Sequence, residues 1–230
     1  RGVALREAPA SERTQGVGLL PDPDSLRELV HEIKTPLNAI IGFAEIIDGQ
    51  YLGPADRRYR ERAGEIVTQA RLLLTAIDDL DFAAKVSAPA RAEAPRVNVG
   101  TLVEQLIPSL RQLAGERRVE LDASRTARDL LAAVQPELAD RLIMRLCAAL
   151  IDHAQAGEKL RLSVDQTNGF CRVSISRPAS LTGLNDAALF GADIQDPRGF
   201  SLRLVRGLAR IAGAQLVTSP GAVALNFPRA

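Results

Sequence analysis

Apolar residues near the start of the chain fall at Leu26, Leu29, Val30, Ile33, Leu37, Ile40, Ile41, Ala44 and Ile47. Steps of three and four put them on one stripe of a long helix. Pro21-Asp22-Pro23-Asp24-Ser25 precedes the stripe, which makes Asp24 or Ser25 the expected N-cap, and Gly49 with Gly53-Pro54 is the expected stop. A second run opens near Ala55 and repeats at Tyr59, Ala63, Ile66, Ala70, Leu73, Ile77, Leu80 and Ala84. This alternation of four and three is the seam of a coiled coil or bundle. Two such helices joined by a short loop make a hairpin. A lone hairpin cannot cover both apolar stripes, so two copies are expected to pair as a dimeric four-helix bundle.

The pattern then changes. Ser87 to Arg96 is rich in Ala and Pro and reads as a linker, as residues 1–23 read as a tail or linker. Val99–Ala114 and Glu137–Gln155 have helical spacing, and so has Leu202–Ala212. Lys159–Val164 and Phe170–Ile175 alternate like strands around Thr167-Asn168-Gly169, as do Ala214–Thr218 and Ala222–Phe227 around Pro220-Gly221. The expected fold class is mainly α plus α+β: a helical hairpin over 24–86, a linker over 87–96, and an α/β sandwich over 97–230.

Composition narrows the function. With 46% hydrophobic and 25% charged residues over 230 positions, the chain is of ordinary globular type, neither collagen-like nor disordered. Lys plus Arg is 29 against 28 for Asp plus Glu, so no overall charge draws it to nucleic acid or an anionic membrane. Cys147 and Cys171 lie in apolar stretches without metal-ligand spacing, which suggests reduced thiols in a cytoplasmic chain. No apolar run approaches the roughly 20 residues that span a bilayer. The chain opens at Arg1 and its single methionine is Met144, the pattern of a processed or excised piece. Membrane attachment is expected only through an upstream segment.

The chemistry concentrates in His31-Glu32-Ile33-Lys34-Thr35-Pro36-Leu37-Asn38. With a core stripe through Val30, Ile33 and Leu37, His31 stands on the flank, on one face with Arg27, Lys34, Thr35 and Asn38. An imidazole with an ordinary pKa of about 6.5 is largely neutral and nucleophilic at pH 7. Glu32 is close enough to orient the ring and take up charge, and Thr35 to position a water. Pro36 cannot donate to the Glu32 carbonyl, a local cost of roughly 3 kcal/mol that should loosen the helix beside His31.

His31-Glu32-Ile33-Lys34-Thr35-Pro36, followed by Leu37-Asn38-Ala39-Ile40-Ile41-Gly42-Phe43, resembles the H-box of two-component sensor histidine kinases, and the hairpin resembles their dimerisation and histidine-phosphotransfer domain. The resemblance implies His31 as the phosphorylated residue, Glu32 as its acid/base partner and Thr35 as the residue that orients water in phosphatase action. It makes Arg27, Lys34 and Asn38 the expected contacts for a response-regulator receiver domain. In that family a GHKL-type ATP-binding domain follows, and residues 97–228 share its order of elements. A gap-free overlay puts Arg145 and Ala149 at two site asparagines, of which the second helps hold Mg²⁺. It puts Arg177 at the aspartate that accepts from adenine, with Ala179 and Leu181 at the next glycines. Pro197, Gly199 and Ser201 fall at the three glycines that cradle phosphates.

The expected function is therefore a pseudokinase or histidine phosphotransferase. Its site would be degenerate at Ala149, Arg177 and Ser201, with no ATP or Mg²⁺ held by this chain and Mg²⁺ supplied by the receiver. The alternatives are an active sensor kinase with a divergent ATP site and a non-enzymatic receiver-binding adaptor. His153, Cys147 and Cys171 read as packing residues, and Arg57-Arg58-Tyr59-Arg60 and Arg117-Arg118 as solvated faces. Arg198, Arg203, Arg206 and Arg210 make at most a patch for an acidic partner.

Overall fold

The structure, a computed structural model, describes residues 23–86, 95–127, 129–190 and 197–230, with the side chains of 23–27, 83–86, 124–126 and 197–198 outside the description. The tail expected over 1–23 falls outside it except for Pro23, and so do 87–94 of the expected linker.

Two long helices, α1 (Pro23–Asp48) and α2 (Arg57–Val86), form the hairpin. α1 begins at Pro23, so Asp24 and Ser25 lie inside it rather than capping it. Proline suits a first turn, where its missing N–H has no intrahelical partner to lose. α2 starts two residues past Ala55 because the Asp56 carboxylate accepts from the Arg58 N–H at 2.9 Å. The helices run antiparallel. Lys34 pairs with Asp78, Glu45 with Arg71 at 2.5 Å, and the Arg60 Nε–H donates to the Asp48 carbonyl at 3.0 Å.

The seam on α2 divides in two. Ala70 and Ile77 are buried against Val30, Leu37 and Ile41 of α1, and Ala63 and Ala44 are buried too, whereas Tyr59, Ile66, Leu73 and Leu80 are exposed. Each set repeats every seven residues, so successive a and d positions serve different neighbours. On α1, Leu29, Ile33, Ile40, Phe43 and Ile47 are exposed as well. Ile33 thus leaves the expected core stripe; it stands three residues past Val30, about 300° round the axis, and falls on the outer side of the contact line.

The second part is a two-layer α/β sandwich. In chain order it contains β1 (Val97–Asn98), α3 (Val99–Glu116), β2 (Glu120–Thr126), β3 (Leu131–Ala132), α4 (Pro136–His153), β4 (Lys159–Thr167) and β5 (Phe170–Ser176). A 3₁₀ turn (Ala179–Leu181), α5 (Asp186–Leu189), α6 (Pro197–Ile211), β6 (Gln215–Thr218) and β7 (Ala222–Pro228) follow. The main sheet has the order β2-β4-β5-β7-β6, with only the β2–β4 pair parallel; β1 and β3 form a separate antiparallel ribbon. Leu160, Leu162, Val173, Ile175, Val223 and Leu225 of the sheet share one core with Leu110 of α3, Leu142, Ile143 and Leu146 of α4, and Leu202 and Val205 of α6. Asn168 and Gly169 have φ of 46° and 80°, as a two-residue hairpin turn requires, and Thr167 pairs with Phe170 across it.

Three strands have no counterpart in the hydrophobic pattern. β1 and β3 are two residues each, too short for any period, and β2 shows only Leu121 and Ala123 on its inner face.

Candidate functional site

The buried contact of Val30 and Leu37 with α2 fixes the rotation of α1, and that rotation turns His31 out to solvent. Thr35, one turn on, donates its hydroxyl to the His31 carbonyl at 3.2 Å. This leaves the Thr35 oxygen lone pairs able to accept from a water. Pro36 lies within α1, which runs through it as one continuous helix. Glu32 and Asn38 are exposed, and among the described residues neither the His31 ring nor the Glu32 carboxylate has a protein hydrogen-bond partner. Lys34 is engaged by Asp78 across the hairpin. Arg27 lies in α1, but its side chain is outside the described residues. The motif therefore presents a solvent-facing imidazole with a hydroxyl one turn away and a carboxylate at the adjacent position, an arrangement suited to taking a phosphoryl group from a docked donor.

The second region joins α4, the segment after β5 and the start of α6. The Arg145 Nε lies 2.6 Å from the Asp79 carboxylate of α2, and the Ala149 carbonyl is 2.7 Å from the His153 Nδ1. Arg177 is 9% exposed; its Nη1 donates to the Leu184 carbonyl at 2.8 Å and its Nε has no partner. Ser180 donates to the His153 carbonyl at 2.6 Å. Leu181, Leu189 and Phe190 enter the same core as Leu202 and Val205 of α6, with the Arg206 guanidinium 4.2 Å over the Phe190 ring and Arg203 donating to the Phe190 carbonyl at 2.6 Å. Ser201 is half-buried on α6; the side chain of Arg198 and the span 191–196 lie outside the described residues. Both thiols are buried, and full burial pushes that of Cys147 up to about 12. Among the described residues no group of His, Cys, Asp and Glu is arranged to hold a metal, and no helix is long and apolar enough to cross a membrane.

Sequence reasoning passed over Asp79. It is 3% exposed and contacts both Arg141 (3.1 Å) and Arg145 of α4, while Arg141 also covers the Phe82 ring at 3.9 Å. The one signal was an acidic pair, Asp78-Asp79, set between seam residues Ile77 and Leu80.

A helical hairpin with a solvent-facing His31 in a complete His31–Pro36 motif is thus followed by a two-layer α/β sandwich. Residues 24–88 match the His Kinase A (phospho-acceptor) domain family. The chain is 23% identical over 203 residues to the histidine protein kinase DivJ of Caulobacter vibrioides, covering 84% of this chain and 34% of that protein. It is 32% identical over 101 residues to the cell-division control histidine kinase PdhS of Brucella canis, covering 43% of this chain and 10% of that one. Among solved structures, full-length ShkA in complex with AMPPNP superposes with a TM-score of 0.55 at 22% identity over 90% of this chain and 46% of its own. The Acinetobacter baumannii histidine kinase AdeS gives 0.56 at 16% identity, over 86% of this chain and 97% of its own. Residues 24–88 thus carry the His Kinase A (phospho-acceptor) domain, and the chain shares the fold of these histidine kinase structures. It spans about a third of DivJ and a tenth of PdhS.

Proposed function

We propose that this chain is a dimeric, cytoplasmic phosphotransfer module in which His31 exchanges a phosphoryl group with the aspartate of a receiver domain, without using ATP of its own. The observation that carries this reading is the contrast between its two parts: the His31–Pro36 motif is complete and solvent-facing, whereas the positions that the family resemblance aligns with its nucleotide site hold Arg145, Ala149, Arg177 and Ser201.

In the forward step the imidazole nitrogen attacks the receiver's acyl phosphate. An N–P bond forms, the O–P bond breaks, and the aspartate leaves as a carboxylate. Glu32 offsets the positive charge that develops on the ring, and Mg²⁺ comes with the receiver's own acidic pocket. Arg27, Lys34 and Asn38 border the docking surface. In the hydrolytic direction Thr35 orients the water.

Mg²⁺–ATP does not suit the residues present. The Ala149 methyl group has no lone pair for a metal. Arg177 offers only donors where the adenine amino group needs an acceptor, and its Nη1 is bonded to the Leu184 carbonyl. A lost contact of this kind costs about 1–3 kcal/mol, and several are lost together. Dimerisation is supported by the exposed apolar stripes on α1 and α2, which a second hairpin would cover.

The test is incubation with receiver domains phosphorylated by a small acyl phosphate. Acid-labile phosphate should appear on the chain and be absent from His31→Ala. If His31→Ala binds receivers and signals normally, the chain is an adaptor. A second reading, an ATP-dependent kinase with a divergent site, is supported by the relatives, which are named as histidine kinases, and by the complete H-box.

A further inference from the structure

The α4 helix carries its two arginines, Arg141 and Arg145, toward α2. Asp79 receives both while only 3% exposed, so the carboxylate sits out of water between two guanidinium groups. The Arg141 Nη1–H makes a hydrogen bond at 3.1 Å. The Arg145 Nε is closer, at 2.6 Å, but its N–H is misaligned with Oδ2, so that contact is ionic. Phe82, one turn past Asp79, packs on the sandwich core and under Arg141. A buried charge persists only where partners compensate its lost hydration, so these contacts define one relative placement of the two parts. The neighbouring Asp78 makes a second tie, within the hairpin itself, by pairing with Lys34 of α1.

We infer that Asp79 is a positioning residue: with Arg141, Arg145 and Phe82 it clamps the α/β unit against α2, so that α4 serves as an internal docking face on the hairpin. Arg145, which the family resemblance aligns with a site asparagine, contacts the hairpin. The consequence is an α/β unit held in one placement on α2 rather than a domain free to swing. This inference rests on the reading of the α/β unit as a part that does not use ATP.

The experiment is a distance measurement on the full chain. Arg58 and Gln166, both exposed, are replaced by cysteine and spin-labelled, and the labelled chain is diluted in excess unlabelled protein; Cys147 and Cys171 are buried and stay unlabelled. The parent should give one narrow distance distribution, and Asp79→Asn and Arg145→Asn should broaden and shift it. Arg145→Lys, which keeps the charge, should restore most of it. A purely local role would lower thermal stability without moving the distances. A broad distribution in the parent, or an unchanged narrow one in both Asp79→Asn and Arg145→Asn, overturns the clamp; if Asp79→Asn fails to fold, Arg145→Asn decides. Phosphoryl exchange is read separately, so its absence alongside a narrow parent distribution would refute the transfer function and leave the clamp standing.

Discussion

Replacing Leu73 by alanine tests the proposed dimer where its magnitude can be worked out. Leu73 is 43% exposed on α2, one heptad from Ile66 at 48%, and both line an apolar groove with Ala70. Full burial of a leucine contributes about 1.5–3 kcal/mol, so covering the exposed part is worth roughly 0.6–1.3 kcal/mol. A two-fold axis presents the residue twice, which doubles this to roughly 1.3–2.6 kcal/mol, or about ten- to seventyfold in the dimer Kd. Sedimentation velocity over a dilution series reads this directly. Leu73→Asp, which buries a charge as well, should give monomer at concentrations where the parent is dimeric. Ile77→Ala is the contrast, because Ile77 is buried inside the hairpin and its loss should lower the melting temperature first. Unchanged dissociation for both Leu73 variants would show that this stripe is not the interface.

Other consequences are more local. Thr35→Ala should leave phosphoryl transfer to and from His31 near the parent rate while slowing net dephosphorylation of the receiver; equal loss of both would assign Thr35 a structural role through its bond to the His31 carbonyl. The Cys147 thiol, raised by burial from 9.0 to about 12, stays protonated in the folded chain where an unfolded one ionises. Its contribution to stability is therefore complete below pH 9 and lost as pH rises toward 12, with a slope of about 1.4 kcal/mol per pH unit from this group. Denaturant melts of the parent and Cys147→Ala between pH 8 and 11 should diverge in slope accordingly, and parallel slopes would contradict the burial argument.

Much of the hairpin is legible in the hydrophobic pattern, because heptad spacing over two long helices has few other readings, and the His31–Pro36 hexapeptide is contiguous. The pattern does not show which apolar positions face the helix partner and which face outward. Ile33 and Ile40 fit the same stripe as Val30 and Leu37, and only three-dimensional packing separates them. The strands β4 and β5 are legible for a different reason: alternation and the Asn168-Gly169 turn agree. β2 is not, since a strand with two inward apolar residues resembles a polar loop. The Asp79 contacts with Arg141 and Arg145 join residues more than 60 positions apart, and no local spacing encodes such a pair. The family resemblance singles out Arg145 and Arg177 by alignment alone; their partners come from the fold.

Labelling with Mg-ATP, set against labelling from a phosphorylated receiver, tests the central claim most directly. The same purified chain is given radiolabelled Mg-ATP in one arm and a labelled receiver acyl phosphate in the other, with His31→Ala beside each. The account predicts acid-labile label on the parent from the receiver, none from ATP, and none on the variant in either arm. Label from ATP alone, dependent on His31, would contradict it and make the chain a working kinase despite Ala149, Arg177 and Ser201.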